Sequence, residues 1–246
     1  MIPIPAIDIL DGNAVRLTRG DYDEVTVYAD DPVRLALEWE AAGAELLHVV
    51  DLDGARDGAP RSAEVIRELC GACAIPVQTG GGIRDLAAVG LLLDSGVERI
   101  VIGTAAVTEP EFLDEALESF GPERFVVALD SRRGMISLSG WMEESEITAA
   151  DLAGQLTTRG VERFLVTAIE VDGTMEGPDL DLLALVSSRT PAPLIASGGI
   201  GSLADLEELR DVPDGNIEGV ILGKALYEKA FTLQEAAVVL GGGKDR

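Results

Sequence analysis

Cysteine and histidine are almost absent from this sequence, which contains 2 Cys and 1 His among 246 residues. The two cysteines, Cys70 and Cys73, have the C-x-x-C spacing of a redox pair or of one half of a zinc site. A structural zinc site needs four ligands of this kind, and His48 is the only other one in the sequence. The sequence therefore predicts two unpaired thiols with a structural role, and no metal site.

Long apolar runs and a basic N-terminal stretch are also missing. No segment reaches the about 18 consecutive apolar residues of a membrane-spanning helix. The first residues, MIPIPAIDIL, lack the basic start of a secretory signal peptide. From these features we expect a cytoplasmic protein without a membrane partner.

Basic residues are scarce, since 19 Lys and Arg against 44 Asp and Glu give a formal net charge of −25. A surface this negative repels the phosphate backbone of nucleic acids, so we expect no nucleic-acid partner. A phosphorylated ligand would have to be bound by local backbone N–H groups and a few cations. Adaptation to high salt is another reason for such a charge, and it predicts a melting temperature that rises between low and molar salt.

What the sequence does contain is a regular alternation of short apolar, β-rich segments with amphipathic helical ones. This alternation is typical of βα units on a parallel sheet, and strands that are apolar along most of their length are buried on both faces. About 250 residues is the usual size of a (β/α)8 barrel, so we predict one α/β TIM barrel over residues 1–246, with an open doubly wound sheet as the alternative. The predicted strands are 4–9, 45–52, 75–79, 98–103, 124–130, 163–169, 192–197 and 218–223. Helices are predicted for 32–42, 62–69, 86–93, 110–119 and 149–158, with start signals at Asp31, Glu109 and Thr148.

Four short landmarks occur twice, in the same order and roughly 120 residues apart. They are Asp8 with Asp130, Asp53-Gly54 with Asp172-Gly173, Gly81-Gly82-Ile83 with Gly198-Gly199-Ile200, and Val101-Ile102-Gly103 with Ile221-Leu222-Gly223. The repetition predicts a barrel built from two homologous (β/α)4 half-barrels, about 1–121 and 122–240, followed by a flexible tail, 241–246.

Asp8 and Asp130 each end a predicted strand, the first and the fifth. Active sites of such barrels lie at the C-terminal ends of the strands, and the first and fifth strands lie opposite each other in a ring of eight. Two carboxylates in different environments can serve as proton acceptor and proton donor of one reaction. The alternative is that each aspartate only caps the following loop, but their symmetry-related positions favour catalysis.

Two glycine clusters, Gly80-Gly81-Gly82-Ile83 and Ser197-Gly198-Gly199-Ile200, each follow a predicted strand and precede a helix. Small residues in this position let backbone N–H groups approach a phosphate closely. The next strands, the fourth and the eighth, end in Gly103-Thr104 and Gly223-Lys224. The two loop pairs predict a ligand with a phosphate at each end, and the alternative is that the glycines only form tight turns.

Further polar groups at strand ends are candidates for contacts to the middle of the ligand. His48 and Asp51 end the second predicted strand, Thr167 ends the sixth, and Trp141 follows the fifth in a long loop. The indole of Trp141 could stack on a planar heterocycle. The alternatives are a structural hydrogen bond for His48 and a purely hydrophobic lid for Trp141.

Six motifs follow one another along nearly the whole chain: PAIDILDGNAVRL, HVVDLDGA, GGGIR, GWMEES, TAIEVDGTMEGPDLDLL and SGGI. Together they resemble the phosphoribosylformimino-5-aminoimidazole carboxamide ribotide (ProFAR) isomerases of histidine biosynthesis. The resemblance implies an Amadori rearrangement, in which an aminoaldose ring opens to a Schiff base and a proton then leaves C2 of the ribose to give an aminoketose. It also implies that no metal or cofactor takes part.

The resemblance implies roles for individual residues as well. It makes Asp8 the proton acceptor and Asp130 the proton donor, with Thr167 assisting near the ring-opening step. The stretch from Arg16 to Asp30 resembles a loop that closes over the ligand and excludes water. The residues implied to bind the substrate are Gly81, Gly82, Arg84 and Thr104 at one phosphate, Gly198, Gly199, Gly223 and Lys224 at the other, His48, Asp51 and Trp141 in the middle, and Arg16 on the closing loop.

Three alternatives remain beside this interpretation. The cyclase subunit of imidazole glycerol phosphate synthase has similar aspartates, but its start differs from AIDILDGNAVRL and it lacks the GW motif. Bifunctional isomerases that also act on phosphoribosylanthranilate usually carry an arginine two residues before the tryptophan, where this sequence has Ser139, although Arg132 and Arg133 are nearby. A barrel that only binds a metabolite is the third. We expect a monomeric isomerase with the histidine-pathway activity alone, acting on a bisphosphorylated small molecule.

Overall fold

The computed structural model describes residues 1–18, 20–138, 140–212 and 215–241. The strands, numbered in chain order, are β1 Ile2–Leu10, β2 Asn13–Thr18, β3 Asp21–Ala29, β4 Leu47–Asp51, β5 Val77–Gly80, β6 Arg99–Ile102, β7 Phe125–Arg132, β8 Met135–Leu138, β9 Glu143–Thr148, β10 Phe164–Ala168, β11 Leu194–Ser197 and β12 Ile217–Leu222. The helices are α1 Pro32–Ala41, α2 Leu52–Asp57, α3 Ala63–Ala72, α4 Leu86–Asp94, α5 Thr104–Thr108, α6 Pro110–Phe120, α7 Ala149–Thr158, α8 Leu180–Ser187, α9 Leu203–Arg210, α10 Lys224–Tyr227 and α11 Leu233–Gly241, with a 3-10 helix at Pro122–Arg124.

Eight strands form a closed, all-parallel ring in the order β1, β4, β5, β6, β7, β10, β11, β12, with β12 pairing back to β1. The pairing of β10 with β7 closes this ring, which excludes an open doubly wound sheet. Helices surround the ring, and each of the eight predicted strands overlaps one barrel strand. The prediction of a (β/α)8 TIM barrel is therefore confirmed.

Alternation along each barrel strand determines which side chains reach the inside of the ring. Ala6 of β1 belongs to a small apolar cluster inside the barrel, whereas Ile7 belongs to the large cluster between strands and helices. Because successive side chains of a strand point to opposite faces, Asp8 follows Ala6 on the inner face. The same parity places Asp130 after Ala128 on β7. Both carboxylates consequently face the mouth of the barrel.

Two antiparallel hairpins extend the barrel above its C-terminal end. β2 and β3 follow β1 and pair with it through β2, and β8 and β9 follow β7 in the same way. The stretch from Arg16 to Asp30, interpreted as a loop, lies mostly within the first hairpin, so that interpretation is corrected. Trp141, expected in a long loop, lies in the turn of the second hairpin. The hairpins occur at equivalent places in the two predicted halves.

Helix starts follow local capping chemistry. The side chains of Asp31 and Thr148 accept hydrogen bonds from the backbone N–H groups of Arg34 and Asp151, as their positions predict. Glu109 makes no such bond, and α6 begins there because Pro110 suits the first helical position.

The two cysteines and the C-terminus add little to the site. Cys70 in the last turn of α3 and Cys73 just after it are free thiols. Gly241 ends α11, so the predicted tail does not include it, and its remaining residues, 242–246, lie outside the described residues. Within the described ranges, none of the helices is both long and apolar enough to cross a membrane.

Candidate active site

A cavity of about 260 Å³ opens at the C-terminal ends of the barrel strands. The sequence-predicted residues that line it are Asp8, Arg16, His48, Gly81, Gly82, Arg84, Thr104, Asp130, Trp141 and Thr167. A smaller cavity of about 20 Å³ is lined by four more of the predicted residues, Gly198, Gly199, Gly223 and Lys224. Arg16, Asp172 and Ser197 line both cavities, which therefore adjoin.

Asp8 is a buried carboxylate paired with a cation. The Arg16 guanidinium donates from Nη1 to Oδ1 of Asp8 at 2.9 Å. Burial raises the pKa of Asp8 to about 6, the Arg16 charge opposes this rise, and the nearby Asp172 carboxylate adds to it. Asp8 is thus ionised at neutral pH yet more basic than an exposed aspartate.

Asp130 is held by uncharged donors. The indole N–H of Trp141 donates to Oδ2 of Asp130 at 2.9 Å. Thr167 lies beside it in the β7–β10 register. Burial raises the pKa of Asp130, while hydrogen bonds from Trp141 and then Thr167 act in the opposite direction. Among the described residues, no Lys or Arg forms an ion pair with this carboxylate, in contrast to Asp8.

His48 is buried beneath the cavity and uncharged at neutral pH. The side-chain amide of Gln78 donates to Nδ1 of His48 at 3.0 Å. Burial, with a further contribution from the Arg16 charge, lowers the pKa of His48 to about 4. The ring can therefore orient a ligand by hydrogen bonding, but it cannot supply positive charge to a phosphate.

Asp51 differs from its expected position, because it borders neither cavity. The carboxylate is 1% exposed and accepts hydrogen bonds from the backbone N–H groups of Gly54, Arg61 and Ser62 and from the Ser62 hydroxyl. His48 and Asp51 have opposite parity on β4, so their side chains leave the strand on opposite faces. Asp51 stabilises the loop after β4, and its parity in the sequence already indicated this.

Asp172 is the site residue that the sequence did not single out. It lines both cavities, and burial raises its pKa while the Arg16 charge opposes the rise. In the sequence it served only as a landmark of the repeat, matched with Asp53. Asp53 itself has a structural role, since its carboxylate accepts hydrogen bonds from the Asp11 N–H and from Arg56.

The two glycine loops owe their composition to close backbone contacts. Gly82 and Gly199 have φ values of 71° and 85°, in the left-handed region. A Cβ atom on Gly82 would collide with the carbonyl oxygen of Gly54, and one on Gly199 with that of Gly177. The cations beside the loops are Arg84, packed against Gly58, and Lys224, whose Nζ donates to the carbonyl of Gly173 at 2.9 Å.

Replacing Gly199 by alanine is expected to weaken both the fold and ligand binding at the smaller cavity. The left-handed conformation of a non-glycine residue costs of order 1–3 kcal/mol, and the collision with Gly177 must also be relieved by moving the loop. Thermal unfolding and KM measure the two effects. Gly160→Ala is the matched control, because Gly160 has φ 97° with nothing near its Cβ position. Equal losses in both variants would contradict the close-contact argument.

The hairpins meet above the cavity. Gly20, in the turn between β2 and β3, packs against the Trp141 ring so closely that an added Cβ would lie 2.5 Å from Cε3. Trp141 lies in the turn between β8 and β9 with φ 72°, and its indole N–H donates a hydrogen bond to Asp130. The cavity is therefore covered by one turn from each hairpin. Ser139, two residues before Trp141 in the sequence, lies outside the described residues.

In the ranges that the structure describes, there is no group of three or more His, Cys, Asp or Glu side chains placed to hold a metal ion. The chemistry available at the cavity is that of three carboxylates, a neutral imidazole, two threonines and two arginines. This set suits proton transfer on an anionic ligand.

Comparison with known proteins identifies similar chains. The family model described as histidine biosynthesis protein matches residues 2–232. A protein of a Synechococcus species is 48% identical over 98% of this chain and 94% of its own length. One from Chloroflexus aggregans is 48% identical over 96% of both chains, and one from Prochlorococcus marinus is 44% identical over 96% of this chain and 92% of its own. All three are named 1-(5-phosphoribosyl)-5-((5-phosphoribosylamino)methylideneamino) imidazole-4-carboxamide isomerase.

Proposed function

This chain belongs to the histidine biosynthesis protein family, and on that premise we propose that it catalyses the aldose-ketose isomerisation of ProFAR by an Amadori rearrangement. The observation that carries the proposal is the pair of carboxylates, Asp8 and Asp130, which approach one cavity from opposite strands of the barrel. The substrate in the relatives' name carries two phosphoribosyl groups. Two glycine loops at opposite sides of the barrel mouth match a ligand of that kind.

The different partners of the two carboxylates support a division of roles. Asp8 is the proposed proton acceptor, because the Arg16 cation favours its ionised form while burial keeps it basic. It would take the proton from C2 of the opened ribose. Asp130 is the proposed proton donor, because its partners are neutral and a buried carboxyl without a cation is easier to protonate. Thr167 would assist it at the ring oxygen during opening.

The remaining contacts follow from the two cavities. Trp141 and His48 both line the larger cavity, and a planar imidazole bound there could stack on the indole. Arg16 lies between Asp8 and the smaller cavity. The proposed phosphate ligands are Gly81, Gly82, Arg84 and Thr104 on one side and Gly198, Gly199, Gly223 and Lys224 on the other.

Steady-state turnover of ProFAR by the purified protein tests the proposal. We expect saturable conversion of ProFAR to the aminoketose without added metal or cofactor. Phosphoribosylanthranilate, measured beside it, should not be converted if Ser139 limits the enzyme to one activity. Conversion of neither compound would contradict the proposed function, whereas conversion of both would make the enzyme bifunctional.

Salt should increase the efficiency of the enzyme on this substrate. The protein carries a formal net charge of −25 and the substrate is an anion, so their approach is opposed by the overall field. We expect kcat/KM to rise roughly two- to tenfold between about 10 and 150 mM KCl as the repulsion is screened. The internal control is kcat, which should stay constant because association does not limit it. A fall in kcat/KM would show that the local cations dominate the approach.

We further propose that the enzyme is a cytoplasmic monomer built from two homologous half-barrels. Free thiols at Cys70 and Cys73 are typical of proteins from reducing compartments. The recurrence of a hairpin and a glycine loop in each half supports the duplication. Light scattering during size-exclusion chromatography tests the first point.

A further inference from the structure

A bulge in the first hairpin turns Tyr28 out of the regular strand pattern. Val15 of β2 pairs with Val27 of β3, but the next pair is Ala14 with Ala29, so Tyr28 is the extra residue. A bulge bends its strand and re-aims a side chain, and bulges are frequent beside active sites. Tyr28 is half-buried here, while its neighbour Val27 is 60% exposed.

The re-aimed Tyr28 side chain packs on the helix that follows the eighth barrel strand. The ring centroids of Tyr28 and Tyr227 are 4.6 Å apart at 30°, and the Tyr28 hydroxyl donates to Glu228 at 2.5 Å. Tyr227 in turn donates from its hydroxyl to the carbonyl oxygen of Ala6 on β1 at 2.8 Å, and its ring meets Trp39 edge-on. The two tyrosines thus join β3, α10, β1 and α1 at one point.

Arg16 lies next to this junction. It pairs with Thr26 across the hairpin, two residues from Tyr28. The guanidinium bonds Asp8 through Nη1, and it packs so closely on Gly223 that a Cβ there would collide with it. Its Nε atom is buried without a hydrogen-bond partner among the described residues. One side of the guanidinium therefore holds the carboxylate, and the other faces the loop that begins α10.

Resting on the acid/base role proposed for Asp8, we propose that Tyr28 and Tyr227 are positioning residues: they fix the base of the first hairpin to α10 and so hold the Arg16 guanidinium between Asp8 and Gly223. The tyrosines do not contact the reacting atoms. They act through Arg16, because the same hairpin carries Tyr28 and Arg16 on adjacent strands. Through the same contacts, the two tyrosines join the segment at Gly223, which begins α10, to β1, the strand that carries Asp8.

The charges around Asp8 determine the sign of the expected effect. Arg16 of β2 faces Asp8 and favours its ionised form, whereas Asp172, from the segment after β10, disfavours it. Tyr22 of β3 and Tyr227 of α10 are the other titratable groups that interact with Asp8, and both are neutral below pH 9 because burial raises their pKa values. Withdrawing Arg16 must therefore raise the pH at which Asp8 titrates.

The test is a carbon NMR titration of the Asp8 carboxyl group in the unliganded protein. Tyr28→Leu, which removes both the ring contact and the hydroxyl, should raise the Asp8 midpoint by roughly one pH unit. Tyr28→Phe and Tyr227→Phe keep the rings and remove one hydroxyl each, so they should give smaller shifts in the same direction. Val27→Ala, at the exposed neighbouring position, is the matched control and should give none.

Combination with Arg16→Gln distinguishes positioning from general loosening of the fold. If the tyrosines act through Arg16, then Tyr28→Leu or either Phe variant adds no shift in the Arg16→Gln background. An unchanged midpoint in the single variants, or an equal shift in both backgrounds, would overturn the proposal. If Tyr28→Leu does not fold, the two Phe variants decide by the same criterion. The titration needs no turnover, so a protein inactive on ProFAR would refute the proposed function without affecting this result.

Discussion

Asp8→Asn is expected to lower kcat/KM on ProFAR by about 10² to 10⁴-fold, the usual contribution of a general base. Asparagine has nearly the same shape and can still accept a hydrogen bond from Arg16, but it cannot accept a proton at neutral pH. Steady-state kinetics measures the loss, and calorimetry with a non-reacting bisphosphate shows whether binding is retained. Wild-type turnover in a variant that folds and binds would exclude Asp8 as the base.

The pH dependence of the parent enzyme belongs to the same prediction. Burial raises the pKa of Asp8 to about 6, so the carboxylate needed to accept a proton is lost as the pH falls through that value. The kcat/KM profile should therefore decline on its acid side below about pH 6. The residual activity of Asp8→Asn should lack this decline, because the group that titrates has been removed.

Asp130→Asn is expected to cause a loss of similar size, about 10² to 10⁴-fold. The reason differs, since an amide cannot deliver the proton that the ring oxygen needs on opening. Burial raises the pKa of Asp130, and activity that requires its protonated form should fall as the pH rises through that pKa. The variant should therefore lose the alkaline decline of the profile and keep the acid one.

Asp172→Asn is the matched comparison for the second aspartate. Asp172 is also a half-buried carboxylate at the cavity, and its pKa is raised by burial as well. If Asp130 is the donor, Asp172→Asn retains the alkaline decline and mainly shifts the acid one downward, because it removes a negative charge near Asp8. Loss of the alkaline decline in Asp172→Asn alone would transfer the donor role to Asp172.

The barrel could be predicted from the sequence because its strands are buried on both faces and their apolar runs are continuous. The hairpins could not, since β3 is largely exposed and β9 is partly exposed and rich in glutamate, so both segments resemble loops in the sequence. Strand ends located Asp8 and Asp130 correctly at the mouth. The same criterion misplaced Asp51, because it ignored the parity that turns every second side chain away from the barrel interior.

Asp172 was missed for a different reason. Its importance comes from Arg16, which is distant in the sequence and reaches the site only through the first hairpin. Sequence motifs are local, so they do not show a contact between a strand and a turn that is remote in the sequence. The two repeat partners also differ in the folded protein: Asp53 forms an ion pair with Arg56, whereas Asp172 lines the cavity. The sequence alone does not show this difference.

If Asp130 is the proton donor, the contact between Gly20 and Trp141 would link the release of product to the reprotonation of this carboxylate. Lifting the second hairpin separates the indole from Gly20 and also withdraws its N–H from Asp130. The same opening lets solvent reach the carboxylate and supply the proton that it needs. Opening of the second hairpin would then allow Asp130 to be reprotonated for the next cycle, so product release and reprotonation would occur in one kinetic step.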